Sequence, residues 1–275
     1  MKTRIISAVL GIFILFFIFC FYETVILDLA VALFCSIMIY EVFKATKLLE
    51  KSIFAFVVCE FFCVFCSFLK INKIRNLNSI YLICYGAVFL LVLFKNYGTI
   101  KIENLVFTFS FSMFLTLAMN LILEVRAHFG RFGMYYSLLL FAIAWLCDTG
   151  AYFIGLKFGK VKLAPKISPN KTVEGALGGV IFSVIITLIL NLIYFKIVNC
   201  FSKVNWVSLI FVVLIGAVFA VIGDLSMSVI KRSYEIKDFG KIIQGHGGVL
   251  DRFDSWIFVC IVTYPVILNY PILSF

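Results

Sequence analysis

The sequence predicts an all-α, polytopic integral membrane fold with about nine transmembrane helices, and three observations carry that expectation. The 275 residues are 64% hydrophobic and 14% charged, against roughly 45–50% apolar and about 25% charged in soluble domains. Mean hydropathy is +1.13. Nine separate windows each approach the roughly 20 mostly apolar residues that a bilayer span requires.

In chain order the windows are 5–22, 24–43, 53–69, 79–95, 104–123, 134–155, 175–195, 206–230 and 254–272. The first follows Lys2 and Arg4, so a signal peptide is the alternative to a retained span. No small residues mark a cleavage site and Phe17 to Phe19 precede Cys20, unlike a lipoprotein box, so the segment is read as a first span. The third and fourth windows are short. The nine cysteines lie almost wholly inside apolar windows, Cys200 excepted, and Cys59, Cys63 and Cys66 share one helical face. Buried cysteine behaves as a small hydrophobe, and no paired metal spacing is present. No repeat, low-complexity tract or soluble domain stands out, and no nucleic-acid partner is expected.

Orientation follows from the distribution of Lys and Arg over the loops. With the N-terminus in the cytoplasm, most of the 24 basic residues fall inside, including the lysines between Lys157 and Lys171 and the group Lys231, Arg232, Lys237, Lys241 and Arg252. Nine spans then leave Phe275 outside. The net charge of +10 is otherwise what positive-inside loops facing anionic lipid carry.

Carboxylates inside spans cost about 2.5–3.5 kcal/mol on insertion scales and mark polar interiors or pathways. Asp28 and Glu41 lie near the ends of their window, where snorkelling suffices. Glu60 is deeper but has no basic or hydroxyl residue at helical spacing, so it is read as packing against a neighbouring helix. Asp148 and Asp224 each begin a polar stripe. Asp148, Tyr152, Gly155 and Gly159 follow i, i+4, i+7 and i+11, and Asp224, Ser228 and Lys231 follow i, i+4 and i+7 with Arg232 alongside. Helix glue through an internal salt bridge is the competing reading of both. Asp251 and Asp254, at i and i+3, open the last span after a Gly-His-Gly-Gly approach. Helix capping could account for one of them. Together with Asp224 they make a set of oxygen donors suited to Mg²⁺, which takes one or two protein carboxylates, waters and phosphates. The basic loop GKVKLAPKISPNKTVEG, 159–175, is kept from continuous helix by Pro165 and Pro169. It offers Ser168, Asn170, Lys171 and Thr172 to a polyanion.

These segments resemble the phosphatidate cytidylyltransferase, or CDP-diglyceride synthase, family. Its signature reads here as SVIKRSYEIKDFGKIIQGHGGVLDRFD, Ser228 to Asp254, with every charged member in register. The chain departs at Gln244, where that family usually has Pro or Gly. DTGAYFIGLKFGK and SPNKTVEG look like the family's other two characteristic stretches, so the resemblance covers roughly 140–270.

The resemblance implies transfer of CMP from CTP to phosphatidate, giving CDP-diacylglycerol and pyrophosphate for phospholipid biosynthesis. The chain would lie in the inner (cytoplasmic) membrane, with a catalytic cavity at the cytoplasmic side of the C-terminal helices. Region 131–275 would be catalytic, and 1–130 an N-terminal transmembrane region without an assigned role. Asp224, Asp251 and Asp254 are expected to carry Mg²⁺, with or without a second cation; a pair would clamp the attacking and leaving oxygens. Lys231, Arg232 and Lys237 are expected on phosphates, with Ser228 and Arg252 in the same signature. Lys171 with Ser168 and Thr172 is expected at the triphosphate or pyrophosphate, and Asp148, Asp238 and His246 at ligand support, ribose or base. The resemblance also allows a homodimer. A dolichol-type lipid kinase would attack the γ-phosphorus instead and lacks the full signature. A transporter would show paired interrupted helices in two halves, whereas the charges here crowd into the C-terminal half.

Overall fold

The computed structural model describes residues 2–69, 77–197, 204–243 and 245–273, so Cys200, Gln244 and Phe275 lie outside the described residues. Among those described, nine α-helices and one β-hairpin follow in order. They are α1 (Lys2–Cys20), α2 (Val25–Ala45), α3 (Ile53–Leu69), α4 (Leu77–Lys95), α5 (Ile102–Phe129), α6 (Gly133–Phe158), β1 (Lys162–Ala164), β2 (Ser168–Thr172), α7 (Val173–Ile197), α8 (Trp206–Ser233) and α9 (Leu250–Asn269). Each apolar window of the sequence falls on one helix. Among the described residues four helical stretches are long and apolar enough to cross a membrane: Val25–Ala45, Ile102–Phe158 (which contains α5 and α6), Val173–Ile197 and Trp206–Ser233. Shorter apolar helices run over Val9–Cys20, Ile53–Phe68 and Leu82–Lys95. The chain is a multi-pass membrane protein, as its lipid-ready surface also indicates: Leu177, Ile181 and Ile185, one turn apart along α7, are each at least half exposed.

Two compact units divide the chain, Met1–Glu124 with Tyr234–Arg252, and Val125–Ser233 with Phe253–Phe275; the boundaries fall within α5, at the end of α8 and within α9. The segment 234–252, which holds most of the signature, therefore groups with the N-terminal helices and not with the helices on either side of it in sequence.

In the first unit, helix α2 is capped at its start by Thr24, whose hydroxyl accepts the Ile26 N–H. It ends with Lys47 in the left-handed region (φ 57°) and the Leu48 N–H on the Phe43 carbonyl at 3.0 Å, a Schellman closure. Tyr85 donates its hydroxyl to the Phe109 carbonyl at 2.8 Å and meets Phe62 edge-on at 5.2 Å. Such pairing leaves no phenol unsatisfied where water is scarce. Buried hydroxyls bond one turn back for the same reason, as Thr116 does to the Ser112 carbonyl at 2.9 Å. Among the described residues no two cysteines are joined by a disulfide.

In the second unit, α6 and α7 pack through glycine. A Cβ on Gly179 would stand 2.6 Å from the Cys147 carbonyl oxygen and 2.9 Å from the Ala151 nitrogen, and one on Gly175 2.9 Å from the Ala151 carbonyl oxygen. Only hydrogen fits there, which is the small-residue packing that membrane helices use in place of a hydrophobic drive. The hairpin is antiparallel, pairing Lys162 with Thr172 and Ala164 with Ser168. Glu174, in the first turn of α7, accepts the N–H groups of Lys160 (3.0 Å) and Val161 (3.2 Å), so the hairpin is tied back onto the helix that follows it. Trp256 of α9 is buried and stacks on Phe141 of α6 at 4.7 Å.

Candidate active site

In the second unit a polar cluster is drawn from the later half of α6, strand β2, the last turns of α8 and the first turns of α9. Lys171 of β2 forms an ion pair with Asp224 of α8. Lys231, three residues further along the same α8 face than Ser228, lies 3.8 Å from Asp254 of α9. Ser255 bridges the set: its hydroxyl donates to Asp148 at 2.8 Å, and its N–H donates to Asp254 at 2.9 Å. The charges of Asp224, Lys231 and Asp148 all act on Asp254. Asp254, Ser228 and Lys231 are 8%, 8% and 9% exposed. Asp224 and Lys231 of the α8 stripe therefore each pair within the cluster, and α6 contributes Asp148 to it. Tyr152, expected on the Asp148 face, is 63% exposed.

The 159–175 loop divides its polar residues between two uses. Lys171 reaches Asp224, whereas the Thr172 hydroxyl accepts the Gly175 N–H at 3.1 Å and so caps α7. Ser168 opens β2 opposite Ala164. Arg232, at the end of α8, donates from Nε to the Ile167 carbonyl at 3.1 Å, which fastens the hairpin turn to α8.

The first unit holds the rest of the signature. Oδ2 of Asp251 accepts two backbone N–H groups, Phe239 at 2.8 Å and Gly248 at 2.9 Å, so this carboxylate closes the loop that precedes α9. Gly247, at φ +91°, turns the chain beside Asp238 and Asp251. Nδ1 of His246 lies 2.7 Å from the Ser7 hydroxyl of α1. Lys237, Asp238 and Arg252 are exposed.

Two readings of the sequence need correction. Asp28 and Glu41 do not snorkel; they are 2% and 1% exposed. Glu41 accepts the Val249 and Leu250 N–H groups, each at 2.9 Å, at the start of α9. A helix start lacks internal partners for its first N–H groups, so a carboxylate from α2 finds donors there that water would otherwise satisfy. Glu41, Ser7 and Ser255 are the residues of these constellations that sequence reasoning missed. Ser255 had a signal, adjacency to Asp254; the other two are joined to their partners only by folding.

As a metal centre the cluster of the second unit is spare. Among the described residues no group of three or more His, Cys, Asp and Glu is gathered as a ready metal site. Its donor set nonetheless suits a hard cation. Asp224 pairs with Lys171, Asp254 with Lys231, and Asp148 accepts from the Ser255 hydroxyl, so the cluster offers carboxylate oxygens of the kind a hard cation takes, and Mg²⁺ completes its shell with water and phosphate.

Comparison with known proteins agrees with these motifs. A profile described as "Cytidylyltransferase family" matches residues 2–269. The chain is 38% identical over 180 residues to a phosphatidate cytidylyltransferase of Bacillus subtilis (strain 168), covering 63% of this chain and 64% of that protein. It is 46% identical over 127 residues to the protein of that name from Staphylococcus saprophyticus, and 49% over 127 residues to that of Staphylococcus aureus (strain COL), covering 46% of each chain. In each case the matched stretch spans less than two thirds of the relative's length. With nearly the whole chain inside the family profile and the Ser228–Asp254 signature intact, this chain belongs to the cytidylyltransferase family.

Proposed function

We propose that this chain transfers CMP from CTP to phosphatidate, forming CDP-diacylglycerol and releasing pyrophosphate. The observation that carries the reading is the match to the family over residues 2–269, and the Asp254-centred cluster supplies chemistry that fits it. A phosphate oxygen of phosphatidate attacks the α-phosphorus of CTP. A new P–O–P linkage forms, and the bond from the α-phosphorus to the bridging oxygen of pyrophosphate breaks with its electron pair. The attacking oxygen is already ionised at neutral pH, so no general base is required. Catalysis then rests on bringing two anions together and offsetting their charge.

Asp224 and Asp254 are the proposed Mg²⁺ carriers, with Asp251 one turn before Asp254 on α9. Bound there, the ion would neutralise phosphate charge. Lys231 and Lys171 supply ammonium groups at the same cluster, and each is held by a carboxylate in the meantime. Arg232, Lys237 and Arg252 are the proposed further phosphate contacts, with Ser228 of the α8 stripe. Ser168 and Thr172 would act through the placement of Lys171, and Asp148, Asp238 and His246 as ligand support or ribose and base contacts.

The proposed setting is a cytoplasmic membrane crossed by all nine helices, with the N-terminus inside and the cluster facing the cytoplasm, where CTP resides. A homodimer is compatible with it. The test uses purified full-length protein, phosphatidate in mixed micelles, Mg²⁺ and CTP labelled in the cytidine or the γ-phosphate. Lipid-soluble cytidine with equimolar pyrophosphate is expected. Transfer of the γ-label to lipid, or no lipid-soluble product, would overturn the assignment.

A further inference from the structure

The backbone ahead of α9 is held by two carboxylates, and only one belongs to the signature. Asp251 takes the Phe239 and Gly248 N–H groups. Glu41, about 208 residues away in sequence, takes those of Val249 and Leu250, one on each carboxylate oxygen. The contact is close on every side. A Cβ on Gly240 or on Gly248 would overlap the Glu41 carboxyl group. Neither glycine has the positive φ that excludes other residues, so the space taken by Glu41 is what restricts these two positions. Glu41 itself is 1% exposed, and both of its acceptors are engaged by N–H groups at a helix start, where a negative charge is favoured.

We propose that Glu41 is a positioning residue for the cytidylyl transfer. It fixes the Gly248–Leu250 backbone and thereby the direction in which the start of α9 presents Asp251. The inference rests on the functional reading above, and it gives the N-terminal region a part in the reaction that its featureless apolar sequence does not suggest. The amide of Glu41→Gln has one acceptor and would turn its NH2 group toward a backbone donor. Glu41→Asp keeps the charge but withdraws it by one methylene. Gly248→Ala keeps Glu41 and displaces it.

The experiment compares these three variants with the wild type as purified full-length protein, counting only monodisperse folded material by size-exclusion chromatography. Steady-state rates are measured at varied CTP and phosphatidate, and amide hydrogen exchange is followed over 239–252. Misplacing a reacting group by a fraction of an ångström to an ångström costs up to about a hundredfold in rate, so kcat per folded molecule is expected to fall about tenfold or more in Glu41→Gln, with KM for CTP changing far less. Glu41→Asp should recover part of the loss, Gly248→Ala should lower kcat in the same direction, and exchange at Val249 and Leu250 should quicken in both Glu41→Gln and Gly248→Ala. A merely structural role would lower the yield of folded protein and leave its turnover unchanged. Active wild-type protein alongside Glu41→Gln turnover within about twofold of it, or unchanged exchange at Val249 and Leu250, overturns the proposal. Wild-type protein that forms no CDP-diacylglycerol overturns the functional reading itself, and the proposal with it.

Discussion

Asp251 and Asp254 stand three residues apart on α9, yet their carboxylates meet different partners. Asp251 accepts two backbone N–H groups, whereas Asp254 meets Lys231 and the Ser255 N–H within a cluster that also holds Asp148 and Asp224. Asp224→Asn and Asp254→Asn are therefore expected to lose most activity even at saturating Mg²⁺ while remaining folded, because each removes charge from the proposed cation site. Asp251→Asn should also lose activity, but with faster amide exchange at Phe239 and Gly248, since an amide oxygen is the weaker acceptor. Turnover of folded protein, measured with exchange over 239–252, separates the two patterns. By contrast Glu60→Gln and substitution of Cys59, Cys63 or Cys66 by Ala should leave turnover close to wild type; Cys59 lies against Tyr85 inside the first unit, and one oxygen of Glu60 is buried without a hydrogen-bond partner. At this scale the sequence disclosed the charged members of the cluster, since Asp224, Ser228 and Lys231 share a helical spacing and Asp254 ends a dense signature. It could not disclose Ser255 on Asp148 or Glu41 on Leu250, because no spacing rule links residues 107 or 209 positions apart.

Helices were the most legible elements because each is an uninterrupted apolar run, and what the runs failed to give is their ends. Helix α8 continues to Ser233 and α9 begins at Leu250, each past the edge of its hydropathy window, as the helical spacing of Lys231 and of Asp251 already implies. A hydropathy window stops where charge begins, whereas backbone hydrogen bonding does not. The hairpin at 162–172 was not legible. It is short, β2 contains Pro169, and the only conclusion that Pro165 and Pro169 allow is the absence of continuous helix. The glycines between α6 and α7 lead to a stability prediction. At Gly179 an added methyl meets backbone atoms that have no flexible end to move, so Gly179→Ala should destabilise by about 1–3 kcal/mol. Gly86→Ala is the control, since nothing lies within 4 Å of its added Cβ. Thermal unfolding of detergent-solubilised protein, followed by loss of the monodisperse peak, should place Gly179→Ala clearly below the wild type and Gly86→Ala at or above it, where replacing a helical glycine favours the helix.

For the whole molecule the proposed reaction depends on which side of the membrane the basic segments occupy, because CTP is confined to the cytoplasm. Nine crossings with the N-terminus inside put the hairpin 162–172 and the segment 234–249 on the cytoplasmic side and the chain end at Phe275 on the other. The odd number is the sensitive point. The apolar window of helix α4, 79–95, is short; if it did not cross, every later segment would invert unless a second helix also failed to cross. The lysines from Lys157 to Lys171 and the group from Lys231 to Arg252 oppose that inversion, since translocating them would run against the strongest orientation signal in the chain. Asn170 is a suitable reporter, being exposed on β2 next to Lys171. With the native cysteines replaced, a cysteine at Asn170 should resist a membrane-impermeant thiol reagent in intact cells and become labelled once the membrane is opened. A cysteine added after Phe275 should be labelled without opening. Labelling of position 170 from outside would put Lys171 and its partner Asp224 beyond the reach of cytoplasmic CTP, and the cytidylyl transfer proposed for this chain would then fail however well its signature fits.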